Sequence, residues 1–388
     1  MPPPSGGALP SAPDPWAGSE MPPFRSRPPY LMTEMIAAEP ALAERLARRL
    51  AGDPAVDALA EAVRTAAAAR APILTTGCGT SEHAAGAVAA LLTDALGLTG
   101  GREVTAVQAL DGLARPLERG SLLIGVSHEG RTLATNEALT AARAAGATTA
   151  LITVSGRSPG AEHADLLIET LEQDQSWCHT VGYLSPLIVG VVLAGRLSGR
   201  RPDVRALRAL LDVTDDHRAA SSIASGFTGT DRILVAGWGV DAISARELAL
   251  KIAEGARLPA AAHDVETLLH GHLAAANRWT GLVLIRTDQE GEPDVVAARA
   301  DRLLRAARLL GMPAAAILGE RASRAFGADL TPAGRVVLPR GGRVPPVAAS
   351  LLAPVIPLQL LAERLARARG VNPDTLGRED PAQASAHA

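Results

Sequence analysis

Short apolar runs that end in glycine-rich turns recur along this chain and predict buried parallel strands. The first run, Ile73–Thr76, leads into Gly77-Cys78-Gly79-Thr80-Ser81 and then into an alanine-rich stretch that reaches Leu96. Ahead of it, residues 32–50 carry apolar side chains at helical spacing. A strand, a glycine-rich turn and a helix in this order open a βα unit.

The pattern returns about 160 residues later, which indicates an internal repeat. Ile233–Ala236 precedes Gly237-Trp238-Gly239, and the first-half run Leu122–Val126 has its counterpart in Leu282–Arg286. Two further strands are predicted at Thr148–Val154 and Ala314–Leu318. The repeat favours an α/β fold of two βαβαβ halves, each a parallel sheet wrapped by helices. Ligands of such sheets bind outside the carboxyl ends of the strands, where the glycine-rich turns lie.

Length and proline content set the expected domain boundaries. The 388 residues are enough for two domains. Residues 1–30 hold ten of the 28 prolines, and we expect them to form a disordered leader. A first domain with an N-terminal helix is expected over 31–210, a second over 211–368 and a C-terminal tail over 369–388.

Composition excludes several classes of partner. A net charge of −3 leaves no general basic field for nucleic acid, and nine aromatic residues are too few for stacking platforms. The apolar runs near 184–197 and 347–361 are interrupted by Pro, Ser or Gln, so no membrane span is predicted. Cys78 and Cys178 show no disulfide framework and no metal-ligand spacing, which is typical of a cytoplasmic protein without a metal.

The chain has 37 arginines and a single lysine, Lys251. Ser244 and Glu247 form a capping box that starts a helix. Glu247, Lys251 and Glu254 then follow at i, i+4 and i+7 on one helical face. Such a face is either a charge network with a chemical role or a solvated stripe of salt bridges.

Two turns in the first half offer hydroxyl groups after predicted strands. Gly79, Thr80 and Ser81 lie where a helix begins, a position that favours anions because its N–H groups are unpaired. Ser127 to Thr132 places two more hydroxyls and Arg131 after the next strand. Each turn is equally compatible with an ordinary βα connection capped by Ser or Thr.

Taken in order, these segments resemble the SIS (sugar isomerase) domain family. Residues 78–83 resemble its Cys-Gly-Thr-Ser-x-His turn, and residues 127–132 resemble its Ser-x-Ser-Gly-x-Thr phosphate loop. Residues 176–180 with Tyr183 are loosely similar to a later Ser/Thr-rich segment. Residues 247–254 and 266–271 resemble the Glu-Gly-Ala-Leu-Lys-x-x-Glu helix and the Glu-x-x-x-His-Gly segment of glucosamine-6-phosphate synthases, whose isomerase half contains two SIS domains.

The resemblance implies flavodoxin-like five-stranded sheets, a phosphosugar or amino-sugar substrate, no cofactor, and a homodimer with its site at the subunit interface. Glu254 would transfer the proton between C1 and C2, and His270 of the neighbouring subunit would open the sugar ring. Lys251 would stabilise the enediolate beside Glu247. The implied substrate-binding residues are Gly79, Thr80, Ser81, Ser127, His128, Glu129, Thr132, Thr180 and Arg378.

Three features depart from the family pattern. No glutaminase domain precedes the repeat and position 2 is Pro, so we expect that glutamine is not the direct amine donor. Arg378 stands where the family has its imine-forming lysine, and arginine stays protonated and forms no imine. Glu129 replaces a hydroxyl of the phosphate loop and would repel a phosphate.

The sequence therefore predicts an enzyme that isomerises, aminates or deaminates a sugar phosphate or amino-sugar phosphate. Two alternatives stay open. One is a non-catalytic phosphosugar sensor that uses the same pocket, and the other is an enzyme for a non-phosphorylated sugar derivative, which Glu129 suggests.

Overall fold

The computed structural model describes residues 24–114, 117–212, 216–289 and 292–386. Most of the predicted leader, residues 1–23, lies outside the described residues. The described chain divides into two units. The first contains Ala38–Asp174 and Val181–Arg208, and the second contains residues 24–37, Gln175–Thr180 and residues 209–386.

The first unit is built on a parallel five-stranded sheet in the order β2-β1-β3-β4-β5. This is the strand order of flavodoxin-like folds. Its core side chains include Leu123, Leu139 and Leu151, which are fully buried. The strands are β1 (Ile73–Gly77), β2 (Thr105–Gln108), β3 (Leu122–Val126), β4 (Thr148–Thr153) and β5 (Leu166–Glu169).

The second unit repeats this arrangement, with the strand order β7-β6-β8-β9-β10 and parallel pairing throughout. Leu282, Leu303 and Leu304 belong to its buried core. The strands are β6 (Arg232–Gly237), β7 (Ala260–Asp264), β8 (Thr280–Arg286), β9 (Ala314–Leu318) and β10 (Gly334–Val337). The predicted fold class, two parallel five-stranded sheets flanked by helices, is confirmed.

Helices connect the strands and cover the sheets. The earlier ones are α1 (Leu31–Leu50), α2 (Pro54–Ala68), α3 (Thr80–Ala95), α4 (Ala109–Ala114), α5 (Leu133–Ala144), α6 (Val181–Ser198) and α7 (Val204–Leu211). The later ones are α8 (Asp216–Gly226), α9 (Asp241–Ala256), α10 (Val265–Leu269), α11 (Asp294–Leu309), α12 (Glu320–Ala325), α13 (Pro346–Leu352), α14 (Val355–Ala368) and α15 (Pro381–Ala386).

Two helical stretches are long and apolar enough to cross a membrane by length and composition alone. They are Val181–Ser198, which is 72% buried inside the protein, and Pro346–Ala368, which is 83% buried. Core helices of α/β proteins pass the same test, because they are covered by protein on most sides. The burial of both stretches is that of core helices in a soluble type of fold.

Candidate functional site

The first glycine-rich turn connects β1 to α3 and has a conformation that requires glycine. Gly79 has a φ of +58°, and a Cβ on Gly77 would lie 2.6 Å from the carbonyl carbon of Ser81. Thr80 is buried and Ser81 is partly exposed at the start of α3. The turn therefore presents two hydroxyl groups at the positive end of a helix, where an anion is favoured.

The second turn follows β3 and adds two more hydroxyl groups. Ser127 is buried, and its Oγ lies 3.4 Å from Oγ1 of Thr132, which precedes α5. Asn136 holds the loop by donating from Nδ2 to the carbonyl of Gly130 at 3.1 Å. The two hydroxyls are close enough to contact one anion together. We call this turn and the preceding one the first cradle, defined by Thr80, Ser81, Ser127 and Thr132.

His128 and Glu129 in the same loop have partners in the segment after β5. Nε2 of His128 accepts a hydrogen bond from the backbone N–H of Asp174 at 2.8 Å, so this nitrogen is deprotonated. Gln173 donates from Nε2 to the carboxylate of Glu129 at 3.2 Å. The imidazole of His128 therefore connects the two loops, and the carboxylate of Glu129 is held by the side-chain amide of Gln173.

Helix α9 carries the charged set that the sequence singled out. Glu247 and Lys251 have no exposed side-chain surface, whereas the side chain of Glu254 is 25% exposed. Nζ of Lys251 lies 2.5 Å from Oε2 of Glu254 and 3.8 Å from Oε1 of Glu247. This buried network contradicts the solvated stripe that was left open as an alternative.

Lys251 remains charged in this environment. Burial would lower its pKa, but the negative charges of Glu254 and Glu247 and the hydrogen bond to Glu254 raise the pKa above its ordinary value. A protonated amine has no lone pair with which to attack a carbonyl group. Lys251 is therefore suited to stabilise negative charge, not to form an imine.

The segment 175–180, which belongs to the same unit as α9, packs beside this network. Cys178 is fully buried with its Sγ 4.0 Å from the carbonyl oxygen of Lys251, and a Cβ on Gly255 would approach that sulfur to 3.2 Å. His179 is neutral, because burial and the charge of Lys251 lower its pKa to about 3. Thr180 is buried, and its carbonyl accepts a hydrogen bond from Gln359.

The C-terminal tail lies against the same segment. The guanidinium of Arg378 stacks over the ring of Trp177 at 4.3 Å, and that ring meets Phe24 edge-on at 4.7 Å. The backbone N–H of Trp177 donates to the carbonyl of Asp374 at 3.1 Å. Arg378 therefore approaches residues 177–179 as a stacked cation.

His270 stands apart from the α9 network. Its side chain is 69% exposed at the end of α10, and its Nε2 pairs with Glu266 at 3.1 Å. Glu266 is also paired with Arg299 at 2.5 Å. The structure therefore brings Glu247, Lys251 and Glu254 together, but it leaves His270 on the surface with a different carboxylate.

Two buried carboxylates were missed by the sequence reading. Asp374 is fully buried and accepts hydrogen bonds from the backbone N–H groups of Leu31 and Met32, at 2.8 and 2.9 Å, where α1 begins. Asp241 is 1% exposed at the start of α9. Asp374 follows Asn372 and Pro373 in the tail, but the helix that it caps begins more than 300 residues away in sequence, so no local pattern indicates this contact.

A cavity of about 600 Å³ opens at the carboxyl edge of the second sheet. Its lining includes Arg321, Arg324 and Arg340, and Glu320 pairs with the last two of these. The cavity contains none of the residues that the sequence predicted for substrate binding. In the described part of the chain, no group of three or more His, Cys, Asp or Glu residues is arranged to hold a metal ion.

Comparison with known proteins gives matches for both the sequence and the fold. Residues 68–195 match the family described as SIS domain. Over 317 residues the chain is 28% identical to a glutamine–fructose-6-phosphate aminotransferase (isomerizing) of Gloeobacter violaceus, covering 76% of this chain and 49% of the relative. The chain thus spans about half the length of that curated relative.

Two solved structures share the fold at low sequence identity. The C-terminal domain of glucosamine-fructose-6-phosphate aminotransferase from Francisella tularensis superposes with a TM-score of 0.74 at 18% identity, covering 89% of this chain and 98% of that one. Tagatose-6-phosphate ketose/aldose isomerase from Escherichia coli gives 0.68 at 19% identity, covering 92% and 98%. The chain therefore contains an SIS domain over residues 68–195, and it has the two-sheet fold of phosphosugar isomerases of this kind.

Proposed function

We propose that this chain is an enzyme that interconverts the ketose and aldose forms of a sugar phosphate or of the corresponding amino sugar. The observation that supports this most is the buried ammonium of Lys251, which contacts Glu254 at 2.5 Å while Glu254 keeps 25% of its side chain exposed. A carboxylate that a ligand can reach, beside a desolvated cation, is the arrangement that an enediolate step needs.

In the proposed reaction, the carboxylate of Glu254 removes a proton from one of the two carbons C1 and C2 and returns it to the other. The electron pair of the broken C–H bond forms the carbon–carbon double bond of an enediolate, and the negative charge develops on the former carbonyl oxygen. The hydroxyl proton of the neighbouring carbon moves to this oxygen, so that the charge passes to the neighbouring oxygen and its carbon becomes the new carbonyl carbon when Glu254 returns the first proton. Lys251 stabilises that charge as an ammonium ion. Glu247 has no exposed surface, so we assign it the task of orienting Lys251 and not that of a proton acceptor.

We assign the phosphate group of the substrate to the first cradle. Its hydroxyl groups and the positive end of α3 fit an anion. The match to a glutamine–fructose-6-phosphate aminotransferase favours a six-carbon sugar phosphate, which is consistent with this assignment. Arg378 cannot form an imine with such a sugar, so an amine would be exchanged at the substrate itself, with free ammonia as its donor or product.

His270 is assigned to the active site of a second copy of the chain. Its ring is 69% exposed and pairs with Glu266 instead of Glu254. A homodimer would bring one chain's His270 to the other chain's α9, as the resemblance implies. We also propose that the enzyme is cytoplasmic, because the thiols of Cys78 and Cys178 are free and stay reduced in that compartment.

Replacing Glu254 by Gln tests the proposed reaction directly. The protein is incubated with fructose 6-phosphate plus ammonia and, separately, with glucosamine 6-phosphate, and the products are followed by mass spectrometry. Removal of the general base should slow turnover about 10²–10⁴-fold. The control Glu61→Gln changes an exposed surface carboxylate and should leave turnover unchanged. Binding of these sugars without turnover would instead support the phosphosugar sensor.

Replacing Lys251 by Met tests the buried charge network. The change leaves the carboxylate of Glu247 buried without its cation, which should destabilise the fold by about 3–5 kcal/mol. The double variant Lys251→Met/Glu247→Gln removes both charges and should recover most of that stability in urea unfolding. Its turnover should stay about 10²–10³-fold low, because the cation for the enediolate is absent. Equal instability of both variants would contradict this account of the network.

Mixing inactive variants tests the assignment of His270 to a second copy. Preparations of Glu254→Gln and His270→Asn should each have little activity. After unfolding and refolding together in equal amounts, half of the dimers should be mixed and contain one intact site, which restores roughly a quarter of normal turnover. If Glu254 and His270 act within one chain, the mixture should stay inactive.

Glu129 supports a second candidate function, an enzyme for a sugar derivative without a phosphate. A carboxylate about 4 Å from a phosphate costs roughly 1–4 kcal/mol at effective dielectric constants of 80 to 20. If the substrate is a phosphate, Glu129→Ser should tighten binding of fructose 6-phosphate about tenfold, measured by calorimetry, with little effect on fructose. The control Glu137→Ser removes an exposed charge from α5 and should change neither affinity. Preference of the natural protein for fructose over its phosphate would favour the second candidate.

A further inference from the structure

The two glycine-rich turns match position by position. Gly77, Gly79 and Ser81 of the first unit correspond to Gly237, Gly239 and Asp241 of the second, each 160 residues later. Gly79 and Gly239 have φ values of +58° and +57°. A Cβ on Gly77 would lie 2.6 Å from Ser81 backbone atoms, and one on Gly237 would lie 2.5 Å from the carbonyl oxygen of Asp241. The two turns therefore share one backbone geometry.

The turns differ in the side chain that follows. Asp241 replaces a serine hydroxyl by a carboxylate, and Thr287 lies 160 residues after Ser127. Asp241 is 1% exposed and accepts three hydrogen bonds: from the backbone N–H of Thr287 at 3.0 Å, from Oγ1 of Thr287 at 2.6 Å, and from Nε2 of Gln289 at 2.7 Å. Three donors converging on one buried anion are the contacts that a bound phosphate or carboxylate would receive.

The matching positions of the first unit are arranged differently. The backbone N–H of Ser127 donates to the carbonyl of Ile152, within the sheet, and not to the residue at position 81. Ser81 carries no charge and remains partly exposed at the start of α3. At the position that matches Asp241, the first cradle therefore has a hydroxyl group and no carboxylate.

We propose that the second unit contains a closed copy of the anion cradle, in which the carboxylate of Asp241 takes the place of a ligand's phosphate. The chain then has one site for a phosphate ester, in the first cradle. This inference rests on the proposed function for the first cradle only. The donors at Thr287 and Gln289 are occupied, and a second anion beside Asp241 would be repelled.

The surroundings of Asp241 act in both directions on the charge of its carboxyl group. Burial raises its pKa to about 7, the hydrogen bonds from Thr287 and Gln289 oppose that shift, and the negative charge of Glu292 adds to it. Glu292 is itself paired with the guanidinium of Arg286. The carboxylate is therefore kept in place by its hydrogen-bond donors at a cost in desolvation.

Phosphate binding to variants of the full-length chain tests the closed cradle. Asp241→Ser installs the residue found at the matching position of the first unit, and Asp241→Asn keeps the shape of the side chain without its charge. Equilibrium dialysis with radiolabelled inorganic phosphate counts the bound ions. The natural protein and the Asn variant should bind equally, and the Ser variant should bind one more phosphate per chain. In the double variant Asp241→Ser/Ser81→Asp, a carboxylate fills the first cradle, and the extra phosphate should still bind.

The outcomes separate this inference from the proposed function. If the natural protein binds no phosphate and the Ser variant binds one, the closed cradle stands and the first-cradle assignment fails. If the Ser and Asn variants, both folded by circular dichroism, bind the same amount, the closed cradle is wrong.

Should the Ser variant fail to fold, Asp241→Ala, which also removes the carboxylate, is dialysed in the same way. It should bind one more phosphate per chain than the Asn variant, because the donors at Thr287 and Gln289 no longer have a side-chain acceptor at position 241. Equal binding by the folded Ala and Asn variants would overturn the inference.

Discussion

The rest of this molecule depends on one charge network on helix α9, in which a buried ammonium lies beside one buried and one partly exposed carboxylate. Removing ions from water is costly, and the cost is offset only when each charge has close partners. Lys251 contacts Glu254 at 2.5 Å and Glu247 at 3.8 Å. The three groups together carry two negative charges and one positive charge. Solvent reaches the network at Glu254, where it can stabilise the surplus negative charge. The carboxylate that stays in contact with solvent is also the one that we propose as the proton-transferring group.

This charge set constrains the segment that covers it. Cys178 packs against the backbone of α9 at Gly255, where a larger residue would displace the sulfur. Next to it, His179 is neutral, because burial and the nearby charge of Lys251 lower its pKa to about 3. The segment thus covers the ammonium without adding a charge. It is anchored in turn through Trp177, whose N–H donates to the carbonyl of Asp374.

The inner strands of both sheets could be predicted from the sequence, because they are unbroken apolar runs. β1, β3, β4, β8 and β9 lie within one or two residues of their predicted bounds. The sequence does not indicate the edge strands β2, β5, β7 and β10, because each pairs with only one neighbouring strand and most of its residues are only partly buried. The α9 network was predicted because helical spacing is local. The contacts of His128, Asp241 and Asp374 were missed because their partners are distant in sequence.

The side chain of Arg378 limits the chemistry that is available at the C-terminal tail. Its guanidinium lies 4.3 Å from the centre of the Trp177 ring, beside the segment that covers Lys251. A lysine there would offer a titratable amine on a flexible stem, whereas arginine offers a permanently charged plane that stacks on an aromatic face. With Lys251 held as an ammonium ion, neither cation of this region can attack a carbonyl group. The chemistry that we propose for the site is therefore proton transfer supported by charge, which we assign to Glu254 and Lys251.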